Sequence, residues 1–299
     1  MKVAIIGPIC KDINIIGKKQ HTQPGGVTYY AGHALASLGV ETTVFGSFKQ
    51  QDPPNTEGFR FDLIHIEAQG TLAFKNIYPD PHNLYKRIQE ADTPNNRIRL
   101  NDIPLDRLSG LSYLVFGPLY HDNISASTIK EFSRKVKDNG TQLVLAAQGM
   151  IRYHEQGKIT WKNPENVRDA LPHVDYTFLD DKELEFVSKR DKIADGVHCL
   201  QDECGAKNVI VTQGRQESQL FLGDEHYQLR IFPPRELVDT TGAGDSYMAG
   251  FLKAQELFED PLKKGEFAAM TATMTIEKKS PFSGTMDEVR KRLQLTKQF

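Results

Sequence analysis

The stretch Leu237-Val238-Asp239-Thr240-Thr241-Gly242-Ala243-Gly244-Asp245 carries the chain's most specific chemistry. Gly242, Ala243 and Gly244 stand just where an apolar helix should begin. Small residues let another group approach the backbone closely. The first N–H groups of a helix lack an internal acceptor, and the helix dipole favours negative charge beside them. A loop of this kind can hold an anion such as phosphate. Asp245 follows in the first turn of the same helix. A hydroxyl that attacks a phosphoryl group must lose its proton, and a nearby aspartate can accept it. An ordinary aspartate pKa of about 3.9 makes a weak base, which suffices when proton transfer is late. Local spacing alone also allows Asp245 to do no more than complement the dipole.

Other patterns fit less well. A dinucleotide fingerprint starting at Gly242-Ala243-Gly244 would need a third small residue where Tyr247 stands. Asp239-Thr240-Thr241 is similar to part of an aspartic-protease site, but the third residue is not glycine and no second copy occurs. The absence of G-x-x-x-x-G-K-S/T excludes a Walker-type phosphate loop. Two rivals of other classes stay open: a nicotinamide-dependent oxidoreductase, and a sugar-binding protein without catalysis.

The elements that must position this loop can be read from patterning. Residues 3–6 are a short apolar run ended by Gly7-Pro8, as in a buried strand. Residues 27–38 follow Gly25-Gly26 with helical spacing and stop at Gly39. Residues 41–45 read as the next strand. Residues 47–100 break the rhythm: 61–66 and 71–77 read as short strands and 83–89 as a polar stretch, the best candidate for an inserted lid.

From about residue 100 strands and helices alternate. Strands are expected at Tyr113–Phe116, 142–147, 176–179 and Asn208–Thr212, with helices at 125–137, 165–171, 180–188 and Ile193–Cys204. Helices at 243–256, 263–276 and 286–295 complete the chain. Such alternation implies a mostly parallel sheet covered on both faces.

Composition bounds the setting. The chain has 299 residues, 39% hydrophobic and 25% charged, typical of a globular protein. A formal charge of −2 supplies no global field for nucleic acid or an anionic membrane. Cys10, Cys199 and Cys204 fit no zinc pattern and read as free thiols in a reducing compartment. The first apolar run is too short for a signal-peptide core or a membrane span. A cytoplasmic location is expected.

Asp239-Thr-Thr-Gly-Ala-Gly-Asp245 followed by an apolar helix resembles the C-terminal signature of the ribokinase-like (PfkB) carbohydrate kinases. Gly7, Asp12 and Pro24-Gly25-Gly26, leading into Ala31, Ala34 and Leu38-Gly39, resemble the sugar-binding start of that family. The resemblance spans nearly the whole chain. It implies a three-layer α/β/α sandwich with a mostly parallel central sheet. Residues 1–299 would form one kinase domain, with a small β lid made by segments around 12–20 and 60–100.

Roles follow by resemblance. Asp245 matches the catalytic base, and Gly242, Ala243 and Gly244 the anion hole. Asp12, Gly25 and Gly26 match residues that hold substrate hydroxyls. Asp12 alone could be a turn residue, and the glycine pair an ordinary turn. Thr212 and Gly214 match a nucleotide-contacting strand end. Asp239 and Thr241 match a loop that carries a monovalent cation such as K⁺, a site that residues 280–284 could complete.

Two positions depart from the family pattern. Asp180-Asp181-Lys182-Glu183 stands where Asn-x-x-Glu is usual, so Glu183 is kept near Mg²⁺ while Asp180 replaces an amide by a carboxylate. Asp180 could also be a helix N-cap. Glu217 stands where a glycine usually follows the Thr-x-Gly strand, so ATP as donor is an expectation.

Residues 71–78 and Gln148-Gly149-Met150-Ile151-Arg152 resemble the branch of myo-inositol kinases and archaeal-type nucleoside kinases. Gln148 and Arg152 offer donors suited to a polyhydroxyl ring or a phosphate, unless Arg152 merely pairs with a surface acid. A sugar or cyclitol such as myo-inositol is the expected acceptor, and a nucleoside the alternative. Exposed lid strands could pair two copies into a homodimer.

Overall fold

The computed structural model describes residues 1–80, 88–136, 139–279 and 281–296. Two sheets organise them. The larger has nine strands in the order β15-β14-β13-β12-β9-β8-β1-β4-β5. At its centre β1 (Lys2–Pro8) runs parallel to β4 (Glu41–Phe48) and β8 (Tyr113–Phe116). The parallel run continues through β9 (Gln142–Ala146), β12 (Tyr176–Asp180) and β13 (Asn208–Thr212). An antiparallel hairpin, β14 (Gln219–Leu222) and β15 (Glu225–Gln228), closes one edge.

Six of the seven β1 residues are buried, as a parallel strand covered on both faces requires. Side chains alternate between the two faces. Val3 and Ile5 pack in one core, together with residues of α1 (Val27–Ser37), α6 (Ala243–Leu257) and α7 (Pro261–Ile276). Ala4 and Ile6 pack in the other, with residues of α2 (Ala126–Val136), α4 (Asp181–Ser188) and α5 (Ile193–Cys204). The result is three layers: helices, sheet, helices. The short α3 (Glu165–Arg168) and the terminal α8 (Met286–Thr296) complete the helices described. No helix among the described residues is long and apolar enough to cross a membrane.

The smaller sheet has six strands in the order β10-β11-β7-β6-β2-β3. It contains β2 (Cys10–Ile16), β3 (Lys19–Gly25), β6 (Ala73–Tyr78), β7 (Ile88–Asp92), β10 (Arg152–Glu155) and β11 (Lys158–Trp161). β2 pairs parallel with β6, while β2–β3, β6–β7, β7–β11 and β10–β11 are antiparallel.

The strands expected at Tyr113–Phe116 and Asn208–Thr212 and the helix expected at Ile193–Cys204 coincide with the observed elements. The expected strand at 61–66 is corrected in its placement. As β5 (Asp62–Glu67) it pairs parallel with β4 at the edge of the large sheet and is no part of the small one. Its alternation records an edge position, which a lid strand and a core-sheet edge share. The hairpins β10–β11 and β14–β15 were not anticipated, because four-residue strands give little periodic signal. Residues 83–87 of the expected polar stretch, Lys137 of the expected helix and Ser280 lie outside the described residues.

Candidate functional site

A cavity of about 770 Å³ lies between the two sheets, at the C-terminal ends of the parallel strands. Open α/β sheets place their ligands at that end. Several chain segments meet there. The start of α6 supplies Gly242, Ala243, Gly244 and Asp245; β2 supplies Asp12; Gly26 precedes α1. Gln148 and Arg152 follow β9, Asp180 and Glu183 follow β12, and Thr212 and Gly214 end β13. Thr241 also lines the wall. Gly25 and Asp239 do not face the cavity, and each acts on a neighbour that does.

Gly25 sits opposite Cys10 at the end of the β2–β3 ladder. A Cβ there would lie 2.2 Å from Oδ2 of Asp12, so glycine leaves the room that the carboxylate fills. Asp12 is buried on the face of β2 that Cys10 shares, and the Cys10 thiol lies 3.5 Å from Oδ1 of Asp12. Asp12 is thus a strand residue and not a turn residue, while Gly26, the N-cap of α1 at φ 97°, does make the turn before that helix. Burial and, next, the charge of Asp12 push the Cys10 thiol well above its usual range, which makes it a weakly reactive group. Asp239 Oδ1 accepts from both the N–H (2.9 Å) and the hydroxyl (2.7 Å) of Thr241, bracing the loop before α6.

Gly242 caps α6 in the left-handed region at φ 77°. Its missing Cβ would stand 2.2 Å from the ring of Tyr30. Gly244 has the opposite surroundings, since nothing lies within 4 Å of where its Cβ would be. Gly242 shapes the turn, and Gly244 keeps the space in front of the first helical amides open. An anion could enter that space.

The carboxylates form the third part of the site. Asp180 caps α4: its Oδ1 accepts from the Glu183 N–H at 2.7 Å, and Glu183 Oε2 accepts from the Asp180 N–H at 3.0 Å. The N-cap reading of Asp180 holds, and the residue lines the cavity as well. Burial, reinforced by the charge of Asp180, pushes the Glu183 carboxyl up to about 8. The charge of Arg152 opposes that rise and that of Asp245 adds to it. Arg152 acts on Cys10, Asp180 and Glu183, so it is a cation of the cavity and not a surface partner.

Among the described residues no group of three or more side chains could hold a metal by itself. A Mg²⁺ ion fits this site in the manner usual for that ion, with one or two protein carboxylates and the phosphates of a donor. Asp12, Asp180, Glu183 and Asp245 are the carboxylates that line the cavity, and Asp180 and Glu183 stand together at the start of α4.

Two groups of lining residues were missed in the sequence. Cys10, Phe74, Asn76 and Gln89 come from the small sheet. The period-2 alternation of β2 and β6 would have placed the first three on the face of Asp12. Arg230, Ile231, Phe232, Pro233, Pro234 and Leu237 oppose Ala269, Ala272 and Ile276 of α7 as an apolar slot beside Thr212 and Gly214. Its residues come from an irregular segment and a helix distant in sequence, so no local pattern announces it.

Comparison with known proteins agrees with this geometry. Residues 145–287 match the model of the pfkB family carbohydrate kinases. A fructokinase of Klebsiella pneumoniae is 38% identical over 98 residues, 31% of this chain and 31% of that protein. A nucleoside kinase of Methanocaldococcus jannaschii is 30% identical over 137 residues, 44% of this chain and 42% of that protein. The aligned stretches thus span less than half of each of these relatives. A pyrophosphate-dependent kinase in the ribokinase family, complexed with a pyrophosphate analog and myo-inositol, superposes with a TM-score of 0.81. It is 20% identical, and the match covers 97% of this chain and 99% of that one.

Proposed function

The chain carries a pfkB family carbohydrate kinase domain on a ribokinase-like fold, and from that premise we propose that it transfers a phosphoryl group from ATP to a hydroxyl of a small polyhydroxyl substrate, a sugar or a cyclitol such as myo-inositol. One observation carries the reading. A single cavity gathers an open helix start, the Asp245 carboxylate behind it, a buried Asp12 and the Asp180–Glu183 pair.

Each residue then has a task. The amides around Gly244 receive the transferring phosphoryl group and stabilise its charge. Asp245 accepts the proton of the attacking hydroxyl. Asp12 accepts hydrogen bonds from neighbouring hydroxyls and holds the acceptor in line. Arg152 offsets negative charge between the carboxylates and the donor. Glu183 and Asp180 would hold Mg²⁺ together with the donor, and the ion would supply charge neutralisation at the donor phosphates. Asp239 and Thr241 fix the loop, where a K⁺ ion could add to the same bracing.

The apolar slot favours ATP over pyrophosphate. A purine ring would lie between the 231–237 segment and α7, where Ile231 is left 51% exposed. Pyrophosphate would leave that wall facing water without benefit. A nucleoside acceptor on the same scaffold is the second reading, favoured by the aromatic Phe74 on the acceptor side.

The test is turnover with ATP or pyrophosphate across myo-inositol, ribose, fructose, cytidine and guanosine. Asp245→Asn is expected to lower kcat by about 10²–10⁴ with little change in KM. Wild-type turnover that survives undiminished in this variant removes Asp245 from its role. No turnover with any acceptor points instead to a sugar-binding protein. Equal use of pyrophosphate overturns the ATP assignment alone.

A further inference from the structure

One wall of the apolar slot is an irregular strip. Residues 230–239 lead from β15 to the turn before α6 and form neither helix nor strand. Backbone polar groups outside a ladder must find partners elsewhere. Most of those in this strip lean on α7. Thr273 Oγ1 donates to the Phe232 carbonyl at 2.8 Å, and the N–H groups of Val238 and Asp239 donate to the Ile276 carbonyl at 2.9 and 3.2 Å. Glu277, just past the end of α7, adds a tie of another kind. Its Oε1 accepts from the Arg235 N–H at 2.6 Å, and both its oxygens accept from the Arg292 guanidinium of α8. The Glu277 side chain is 14% exposed and that of Arg292 13%. Burial pushes the Glu277 carboxyl up, but the bonds from Arg292 and from the Arg235 N–H outweigh it and hold the group below its usual range. An ionised carboxylate is thus fixed by a two-point fork where the strip, α7 and α8 meet.

We propose that Glu277 and Arg292 are positioning residues for the donor: α8 holds the carboxylate, and the carboxylate holds the strip at the spacing from α7 that a nucleotide base needs. The inference rests on the kinase reading above and deepens it. Neither residue lines the cavity, so both act through the strip. The place of the tie gives it leverage. Pro233, Pro234 and Leu237 line the slot, and Arg235 stands among them. Proline has no N–H, so Arg235 is the first residue after Phe232 whose amide can anchor this wall. The nature of the tie adds to its weight. Thr273 and Ile276 make neutral bonds, whereas a bond to an ionised group is roughly twice as strong. Loss of the carboxylate would free the middle of the wall while the ties at Phe232, Val238 and Asp239 keep its ends in place. The slot would lose its width, and the acceptor side, built on the small sheet, would not be touched.

Glu277→Ala, Glu277→Gln and Arg292→Lys test this. ATP affinity is measured by calorimetry, and donor and acceptor KM by steady-state kinetics. Glu277→Ala removes the tie and is expected to weaken ATP by about tenfold or more, with acceptor KM unchanged. Glu277→Gln keeps an acceptor for the Arg235 N–H and should recover part of that loss. Arg292→Lys keeps the charge without the fork and should weaken ATP by about threefold or more. It keeps the test open if Glu277→Ala does not fold. A merely structural pair would lower Tm in these variants without separating donor from acceptor. Unchanged ATP affinity in folded Glu277→Ala or Arg292→Lys overturns the proposal, and so does an equal loss for donor and acceptor. In both cases the kinase reading survives. Absence of ATP binding by the wild type overturns the proposal together with the ATP assignment. Undiminished turnover in Asp245→Asn would instead sink the kinase reading, and calorimetry with ATP would still report on the pair.

Discussion

At the scale of single residues, Glu183 ties stability to catalysis. Burial pushes its carboxyl up to about 8 in the folded protein, from an ordinary value of 4.5. Between those values the folded state holds more protons than the unfolded one, so stability falls as pH rises through that window. Gln at this position keeps the backbone acceptor of the capping box. Glu183→Gln should therefore raise Tm over wild type more at pH 8.5 than at pH 5. Equal differences at the two pH values would show that the buried carboxyl is not the source. The same variant should raise the Mg²⁺ requirement by at least the roughly 10–100-fold typical of lost outer-shell partners. The residue was recognisable from Asp180-Asp181-Lys182-Glu183. Its depth and its shift were not, because both depend on Arg152 and Asp245 arriving from elsewhere in the chain.

At the scale of elements, the turn into α6 separates shape from chemistry. Gly242→Ala would place a methyl in left-handed backbone and against the Tyr30 ring. The backbone term costs about 1–2 kcal/mol and the overlap about 1–3 kcal/mol, so a loss of about 2–5 kcal/mol is expected in chemical denaturation. Gly244→Ala has free space and a better helix former, so stability should hold or rise slightly. Its methyl enters the phosphate space, so activity should fall while the fold persists. A fully active Gly244→Ala enzyme would remove the amides around residue 244 from phosphate binding. Both glycines belong to one motif in the sequence, and only their surroundings separate them.

At the scale of the whole molecule, the small sheet covers the C-terminal ends of the large one, and one contact joins it to the loop before α6. The Tyr78 hydroxyl of β6 lies 3.4 Å from Oγ1 of Thr241, which in turn donates to Asp239. A closed lid excludes water from a transferring phosphoryl group. Tyr78→Phe should cost about 1 kcal/mol or less in stability. It should also raise donor hydrolysis without acceptor relative to transfer with acceptor. If that ratio stays at its wild-type value, the contact has no part in closure.

Local sequence by itself determined the elements that long periodic runs and strong breakers define: β1, α1, β8, α5, β13 and α6 with its Gly-Ala-Gly-Asp entry. Asp12, Asp180, Glu183 and Arg152 stand out as candidates only through the resemblance to the ribokinase-like kinases, not by residue type and spacing alone. The tertiary structure decided which sheet each short strand joins. It sent β5 to the core edge and brought β10 and β11 into the lid, since pairing partners far apart in the chain outweigh the weak preference of a short segment. It also set Asn14, Asn76 and Gln89 side by side on the small sheet and built the apolar slot. Those depend on register between strands and on walls from separate elements, a relation that neighbouring residues along a chain do not encode.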